Sequence, residues 1–167
     1  TADFVPTDTT NYNTLTGLGA GNFVINKATP TATLSVTNTP VTYDTTGQAA
    51  TVGISASSVP GAVSGVLTGG AATQTNAGTY AVTADFVPTD TTNYNTLTGL
   101  GAGNFVINKA TPTVSVTNTP LTYDGSAQSA AVSGSVAGVV SSILTGGAAT
   151  QTNAGTYAVT ADFVPTD

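Results

Sequence analysis

The sequence of 167 residues predicts an all-β protein made of antiparallel β-sandwiches in tandem. Long blocks of the sequence occur twice, which is typical of a repeat array. Segments with period-two alternation are separated by turn residues at roughly 8–12-residue intervals, the spacing expected of a sandwich. Strong helix formers at helical spacing are absent, so the pattern argues against a helical fold.

Internal repetition dominates the sequence. Residues 1–27 recur unchanged as residues 83–109, and residues 67–90 recur unchanged as residues 144–167. The period is 82 residues for the first pair of blocks and 77 residues for the second. Unchanged blocks of this length indicate recent duplication in a chain that lengthens by copying one unit.

The repeat unit is expected to begin at Ala28 and to end at Lys109. On this phase, residues 1–27 are the C-terminal part of a preceding repeat, residues 28–109 are a complete repeat, and residues 110–167 are a repeat lacking its last strand. Two interpretations follow. Either the sequence is a window from one longer array, or separate chains complete one another head to tail by donating a strand.

Alternation of side chains gives the expected strands and core. Residues 79–87 form the clearest example, with large or apolar side chains on one face and polar ones mainly on the other, as in a half-buried antiparallel strand. The segments GNFVINK and ATLSVT alternate likewise. The side chains expected in the core are Tyr80, Val82, Phe86, Tyr94, Phe105 and Ile107, and residues 109–112 are expected to set the junction between repeats.

The glycine-rich run GLGAG at residues 99–103 has two possible interpretations. A phosphate-binding loop would need a following helix and a suitably placed Lys, Ser or Thr, and the sequence provides neither. We therefore expect a hairpin or a bulged connection between strands.

A tyrosine after a strand-ending proline refines the fold class. Tyr94 follows Pro88 by six residues, and Tyr12 is its copy. In Greek-key sandwiches a tyrosine at such a corner donates its hydroxyl to the backbone upstream. The sequence therefore predicts immunoglobulin-like sandwiches with Greek-key topology and about seven strands per repeat.

Three motifs resemble one known family. YDG at residues 123–125 followed by Ala127-Gln128, NAGTY at residues 76–80, and FVINKATPT at residues 105–113 resemble MBG-type bacterial immunoglobulin-like repeats. The first copy departs slightly, with YDTTGQ where the second has YDGSAQ. The resemblance implies a structural, extracellular role at the bacterial cell surface, as a stalk, surface filament, sheath or adhesin-like array. It implies no enzyme activity and no catalytic residues.

Composition excludes many function classes. The chain has 8 acidic and 2 basic residues, a net charge of −6, and no His, Cys, Met or Trp. Disulfides, zinc–thiolate sites and triads that require His or Cys are therefore impossible. Two lysines leave no basic patch for a nucleic acid, and no apolar run is long enough to insert into a membrane.

Few residues are candidates for binding chemistry. Asp90, Asn93 and Asn95 offer oxygen ligands for calcium, but the spacing lacks a DxDxDG loop, so they are weak candidates. Asp85 and Asp90 are expected to be surface charge and a turn residue rather than an acid–base pair. Lys27 and Lys109 are expected to be exposed linker residues rather than parts of an isopeptide crosslink.

An adhesive module is the alternative to a structural repeat. Exposed aromatic side chains such as Tyr43 and Tyr123 could stack on surface glycans, or a partner protein could bind the repeats. The same tyrosines serve equally well in strand pairing. Nearly identical units also suit a spacer better than a specialised site.

Overall fold

The computed structural model describes residues 1–166 and contains only strands, turns and irregular segments there. The all-β prediction is confirmed, and no helix in this part of the chain could cross a membrane. The strands in chain order are β1 (Ala2–Phe4), β2 (Leu15–Leu18), β3 (Ala32–Val36), β4 (Val41–Thr42), β5 (Val52–Ser57), β6 (Gly61–Thr68), β7 (Gly78–Pro88), β8 (Leu97–Asn108), β9 (Val114–Val116), β10 (Val132–Gly134), β11 (Gly138–Thr145) and β12 (Val159–Pro165).

The chain divides into two compact units. The first unit comprises residues 1–41 and 45–107, and the second comprises residues 42–44 with the described residues from Asn108 onward. Strands β3 and β5 pair in a two-stranded sheet, and a four-stranded sheet has the order β4-β8-β7-β6. All pairings with a determined register are antiparallel, as the alternation predicts.

The core of the complete repeat lies between the β3–β5 sheet and the four-stranded sheet. Strand β3 contacts β7, and Leu34 of β3 is buried together with the inward residues of β7 and β8. Of the predicted core residues, four are buried: Val82, Phe86, Phe105 and Ile107. Tyr80 and Tyr94 are half-buried.

The GLGAG run lies inside a strand and does not connect two strands. Residues 99–103 belong to the twelve-residue strand β8. Gly99 and Gly103 have φ values of 66° and 99°, and the register with β7 shifts beside each of them. These glycines thus form bulges, since a side chain disfavours positive φ.

The long strand also changes the strand number. Residues 28–109, all of them described, contain six strands, where the sequence predicts about seven. The physical reason is that two bulges bend one continuous strand where the glycine run predicts a break.

Two hairpin-like sheets make up the second unit. Strand β9 pairs with β10, and β11 pairs with β12. Strand β12 contacts β9, so this unit repeats the β3–β5 and β6–β7 arrangement of the first unit. Residues 110–166 contain no counterpart of β8.

The hydroxyl bond expected of a corner tyrosine occurs at another residue. The Tyr80 hydroxyl donates to the backbone oxygen of Asn76 at 2.8 Å, and that of Tyr157 donates to Asn153 at 2.9 Å. Tyr94 acts through its backbone, which forms a bridge with Ala28. The upstream bond expected at Tyr94 is thus made by a tyrosine at the start of β7.

Candidate functional site

The second unit has an open strand position, here called the open slot. In the first unit, β7 lies between β6 and β8, whereas β12 pairs with β11 alone in the part of the chain that the structure describes. A cavity of about 350 Å³ lies beside β12 in the second unit. Its lining includes Val116, Thr119, Leu121, Tyr123, Tyr157 and Val159.

Residues on both sides of the open slot have lost strand structure. Thr79 and Tyr80 belong to β7, but their copies Thr156 and Tyr157 lie outside β12. Leu121 and Thr122 lie outside any strand, although their counterparts form β4. A missing neighbour strand explains both changes, because it removes the backbone partners that hold these edges extended.

The inward residues of β7 and their identical copies in β12 also differ in burial. Val82, Ala84 and Phe86 of β7 are buried, whereas their copies Val159, Ala161 and Phe163 are only half-buried. Their sequence neighbours are the same over residues 67–87 and 144–164. The difference therefore arises from packing, since β8 covers only one of the two strands.

An exposed segment at the other end of the chain matches the missing strand. We call residues 101–108 the closing segment and residues 19–26 its free copy. Phe105 and Ile107 are 0% and 2% exposed, whereas Phe23 and Ile25 are 91% and 83% exposed. The free copy thus presents two large apolar side chains to solvent.

The hairpin that precedes the free copy also carries an uncovered apolar face. Strands β1 and β2 pair in antiparallel orientation. Phe4, Tyr12 and Leu15 line a hollow of about 540 Å³. The counterparts of Phe4 and Leu15 are Phe86, which is buried, and Leu97, which is half-buried. Residues 1–27 therefore correspond to the C-terminal part of a repeat, but they lack the strands that cover this part in the complete repeat.

A group of hydrogen bonds, here called the linker clamp, fastens residues 27–29 to residues 91–95. The Lys27 ammonium donates to the backbone oxygen of Thr91 at 2.7 Å. The Ala28 amide donates to Asn93 O at 2.8 Å, and the Asn95 amide donates to Ala28 O at 2.9 Å. The Asn95 side-chain amide donates to Thr29 Oγ1 at 3.1 Å. The linker is therefore bound to the β7–β8 loop.

The calcium candidates are arranged by this loop. The Asp90 carboxylate accepts hydrogen bonds from the amides of Thr92 and Asn93, both at 3.1 Å, and from Asn93 Nδ2 at 2.7 Å. The structure thus brings Asp90 and Asn93 together, while Asn95 is directed to the linker. Among the described residues, no group of three or more His, Cys, Asp or Glu side chains could hold a metal ion.

Hydrogen bonding lowers the pKa of the Asp90 carboxyl below its ordinary value of 3.8. The largest cause is the bond from the Asn93 side chain, followed by the bond from the Asn93 backbone; the positive charge of Lys27 adds a smaller effect. The copy behaves alike, since bonds from Asn11 lower the pKa of Asp8. Each carboxylate therefore stabilises a tight turn in its ionised form.

The remaining charged candidates are Asp85, Lys27 and Lys109. Asp85 is half-buried and accepts a hydrogen bond from the amide of the bulge residue Gly99 at 2.8 Å. Lys27 is exposed, as expected, and so is Lys109. Sequence reasoning missed the partners of the linker, because the pairing of residues 27–29 with residues 91–95 has no local signature.

Comparison with known families identifies part of the chain. Residues 112–164 match the MBG domain. This segment is similar to the MBG family. It includes β9 to β11 and all of β12 except its last residue, and its residues 144–164 are identical to residues 67–87 of the complete repeat. The match bears out the resemblance read from the sequence over these residues. No curated protein and no solved structure matches the chain.

Proposed function

We propose that the chain is a structural segment of an extracellular bacterial surface array, such as a stalk, filament or sheath, without enzymatic activity. Each complete repeat is an immunoglobulin-like sandwich closed by a segment equivalent to residues 101–108. Residues 19–26 close a unit of the same kind as residues 110–167. The partners are identical repeats arranged head to tail.

One observation carries this proposal. The same residues, GAGNFVIN, form a central sheet strand at positions 101–108 and lie exposed at positions 19–26. An exposed apolar segment and an open sheet edge are both unfavourable in water. Pairing the exposed segment with the open sheet edge removes both unfavourable features. Because the segment is the same whether units follow one another in a chain or belong to different chains, the proposal holds for either connection.

The complete repeat supplies the register of the closed unit. Strand β8 runs antiparallel to β7, with Tyr80 opposite Phe105 and Gly78 opposite Ile107. By equivalence, Tyr157 lies opposite Phe23 of the donor and Gly155 lies opposite its Ile25. These positions would fill the open slot with apolar side chains.

The opposite edge of the closing segment has an equivalent anchor. The amide of Val106 donates to Thr39 Oγ1 at 2.9 Å, and Thr119, the counterpart of Thr39, lines the open slot. Val24 of the donor would therefore bond to Thr119.

An adhesive glycan site has less support. The sequence offers Tyr43 and Tyr123 for sugar stacking, and Tyr123 is the exposed one of the two. Tyr123 lines the open slot, and its counterpart Tyr43 in the complete repeat is half-buried. Closure of the open slot therefore explains the exposure of Tyr123 in this chain without a bound glycan.

Self-association of the 167-residue chain tests the proposal. We expect sedimentation velocity to show growth of head-to-tail assemblies with concentration. The double substitution Phe23→Asp and Ile25→Asp should weaken association by about 100-fold or more, because two large apolar side chains would no longer be buried.

A charge-matched control uses neighbouring positions. Asn22→Asp with Asn26→Asp adds the same charge, but the copies of these residues, Asn104 and Asn108, are exposed in the complete repeat. This variant should assemble like the parent chain. A parent chain that stays monomeric at all concentrations, or equal loss in both double variants, would contradict closure by residues 19–26.

A further inference from the structure

We propose that a donated segment binds the accepting chain at a second place, the linker of residues 109–111, through residues 9–13. This inference rests on the proposed function, because residues 9–13 directly precede the donor's β2 and its closing segment. The partner at both places is a second copy of this chain. The second contact reproduces the linker clamp of the first unit between two chains.

The second linker has the sequence of the first but not its clamp. Lys109-Ala110-Thr111 repeats Lys27-Ala28-Thr29. Within residues 1–166, no hydrogen bond reaches the linker of residues 109–111, whereas four hold residues 27–29. The linker therefore carries two donors and two acceptors whose arrangement is known from its copy.

Residues 9–13 carry the matching groups. The pentapeptide TTNYN occurs at residues 9–13 and 91–95, and residues 91–95 already hold the first linker. In the proposed contact, Lys109 donates to the backbone oxygen of Thr9, Ala110 exchanges backbone hydrogen bonds with Asn11 and Asn13, and the Asn13 side chain donates to Thr111.

The free loop already has the conformation that the clamp needs. Asp8 accepts hydrogen bonds from the amides of Thr10 and Asn11 at 3.0 and 3.1 Å, and from Asn11 Nδ2 at 2.7 Å. The Tyr12 amide donates to Asp8 O at 3.2 Å, as the Tyr94 amide does to Asp90 O. A preformed loop loses little conformational freedom on binding, which favours the contact.

Charge supports the same pairing. Lys27 lies close enough to Asp90 to lower the pKa of its carboxyl. Lys109 would take the equivalent place beside the donor loop of residues 9–13. Because the chain has only two basic residues against eight acidic ones, this lysine also offsets repulsion between two acidic chains at the contact.

Two synthetic peptides test the inference against one acceptor. The acceptor is the full chain carrying Phe23→Asp and Ile25→Asp, which keeps its open slot but no longer donates. A labelled peptide of residues 8–27 contains both contacts, and a peptide of residues 14–27 contains only the closing segment. Fluorescence anisotropy should show about tenfold tighter binding of the longer peptide, the net gain expected when four exposed hydrogen bonds form and the residues that make them lose conformational freedom.

Substitutions in the acceptor locate the contact. Lys109→Ala with Thr111→Ala removes two of the four hydrogen bonds and should reduce the advantage of the longer peptide to about threefold. The matched variant, Lys27→Ala with Thr29→Ala, alters the already occupied linker and should keep the tenfold advantage. Amide hydrogen exchange at Ala110 should slow only with the longer peptide.

The outcomes distinguish the two proposals. Failure of both peptides to bind would overturn the closure of the open slot and this inference with it. Equal binding of the two peptides would overturn only the second contact. A tenfold advantage that survives Lys109→Ala with Thr111→Ala would place the extra contact elsewhere and would also overturn it.

Discussion

The carboxylate of Asp90 organises the loop between β7 and β8. Its hydrogen bonds hold residues 92 and 93 in a tight turn, and that turn presents the backbone oxygens of Thr91 and Asn93 to the linker. The Asp90 side chain thus positions the loop for its contact with the linker, although neither carboxylate oxygen takes part in that contact.

The ionisation of Asp90 should depend on Asn93. The lowered pKa means that the carboxylate contributes stability above the ordinary pKa of Asp and that this contribution is lost as pH falls through the lowered value. Replacing Asn93 with Ala removes the largest cause, so the pKa should rise toward 3.8. A carbon-detected NMR titration of the Asp90 carboxyl measures this change.

The copy of the turn provides the control. Asn11→Ala should raise the pKa of Asp8 in the same direction, because the same side-chain bond is lost, and should leave Asp90 unaffected. An Asp90 midpoint that is the same with and without Asn93→Ala would show that the hydrogen bond does not set the ionisation.

Among the strands, β6 and β11 show how one bulge is accommodated by different residues. Both strands have a register shift against their partners, between Ser64 and Leu67 in β6 and between Ser141 and Leu144 in β11. The first bulge contains Gly65 with φ of 59°, and the second contains Ser142 with φ of 54°. Serine has a Cβ, so β11 bears conformational strain that β6 avoids.

Replacing Ser142 with Gly should therefore stabilise the second unit by about 1 kcal/mol. Urea unfolding followed by hydrogen exchange at the β11 and β12 amides measures the gain. The reverse substitution, Gly65→Ser, should destabilise the first unit, because a Cβ there would lie 2.9 Å from Asp85 Oδ2. No gain from Ser142→Gly would mean that the serine conformation carries no strain.

For the whole molecule, the two units should differ in stability although they share long identical blocks. Strand β7 has hydrogen-bonded neighbours on both sides, whereas β12 has one. The first unit also buries an apolar core that the second leaves half open.

Hydrogen exchange should reveal this difference in residues of the same sequence. In β12, the amides that face the open slot should exchange at least about tenfold faster than their copies in β7, because they have no strand partner. Exchange measured by NMR at Val82, Ala84 and Phe86 against Val159, Ala161 and Phe163 provides the comparison. Equal protection of the two sets would contradict an open edge on β12.

Several features could be predicted from the sequence because they depend on local pattern. Alternation over residues 79–87 fixes which side chains face inward, and it does so independently of the neighbouring strand. The glycine run at residues 99–103 indicates an irregularity, but local pattern does not distinguish a turn from a bulge. That choice depends on whether a partner strand continues alongside, and β7 does.

The identical segments 1–27 and 83–109 show most clearly what the local sequence determines and what tertiary packing determines. The sequence by itself determined that both copies have strand-forming segments, a turn at Asp8 or Asp90, and an apolar pair at Phe23 and Ile25 or at Phe105 and Ile107. Only the tertiary structure decided which pair is buried. A strand obtains backbone partners and an apolar cover from distant segments, and residues 28–82 supply both to the second copy.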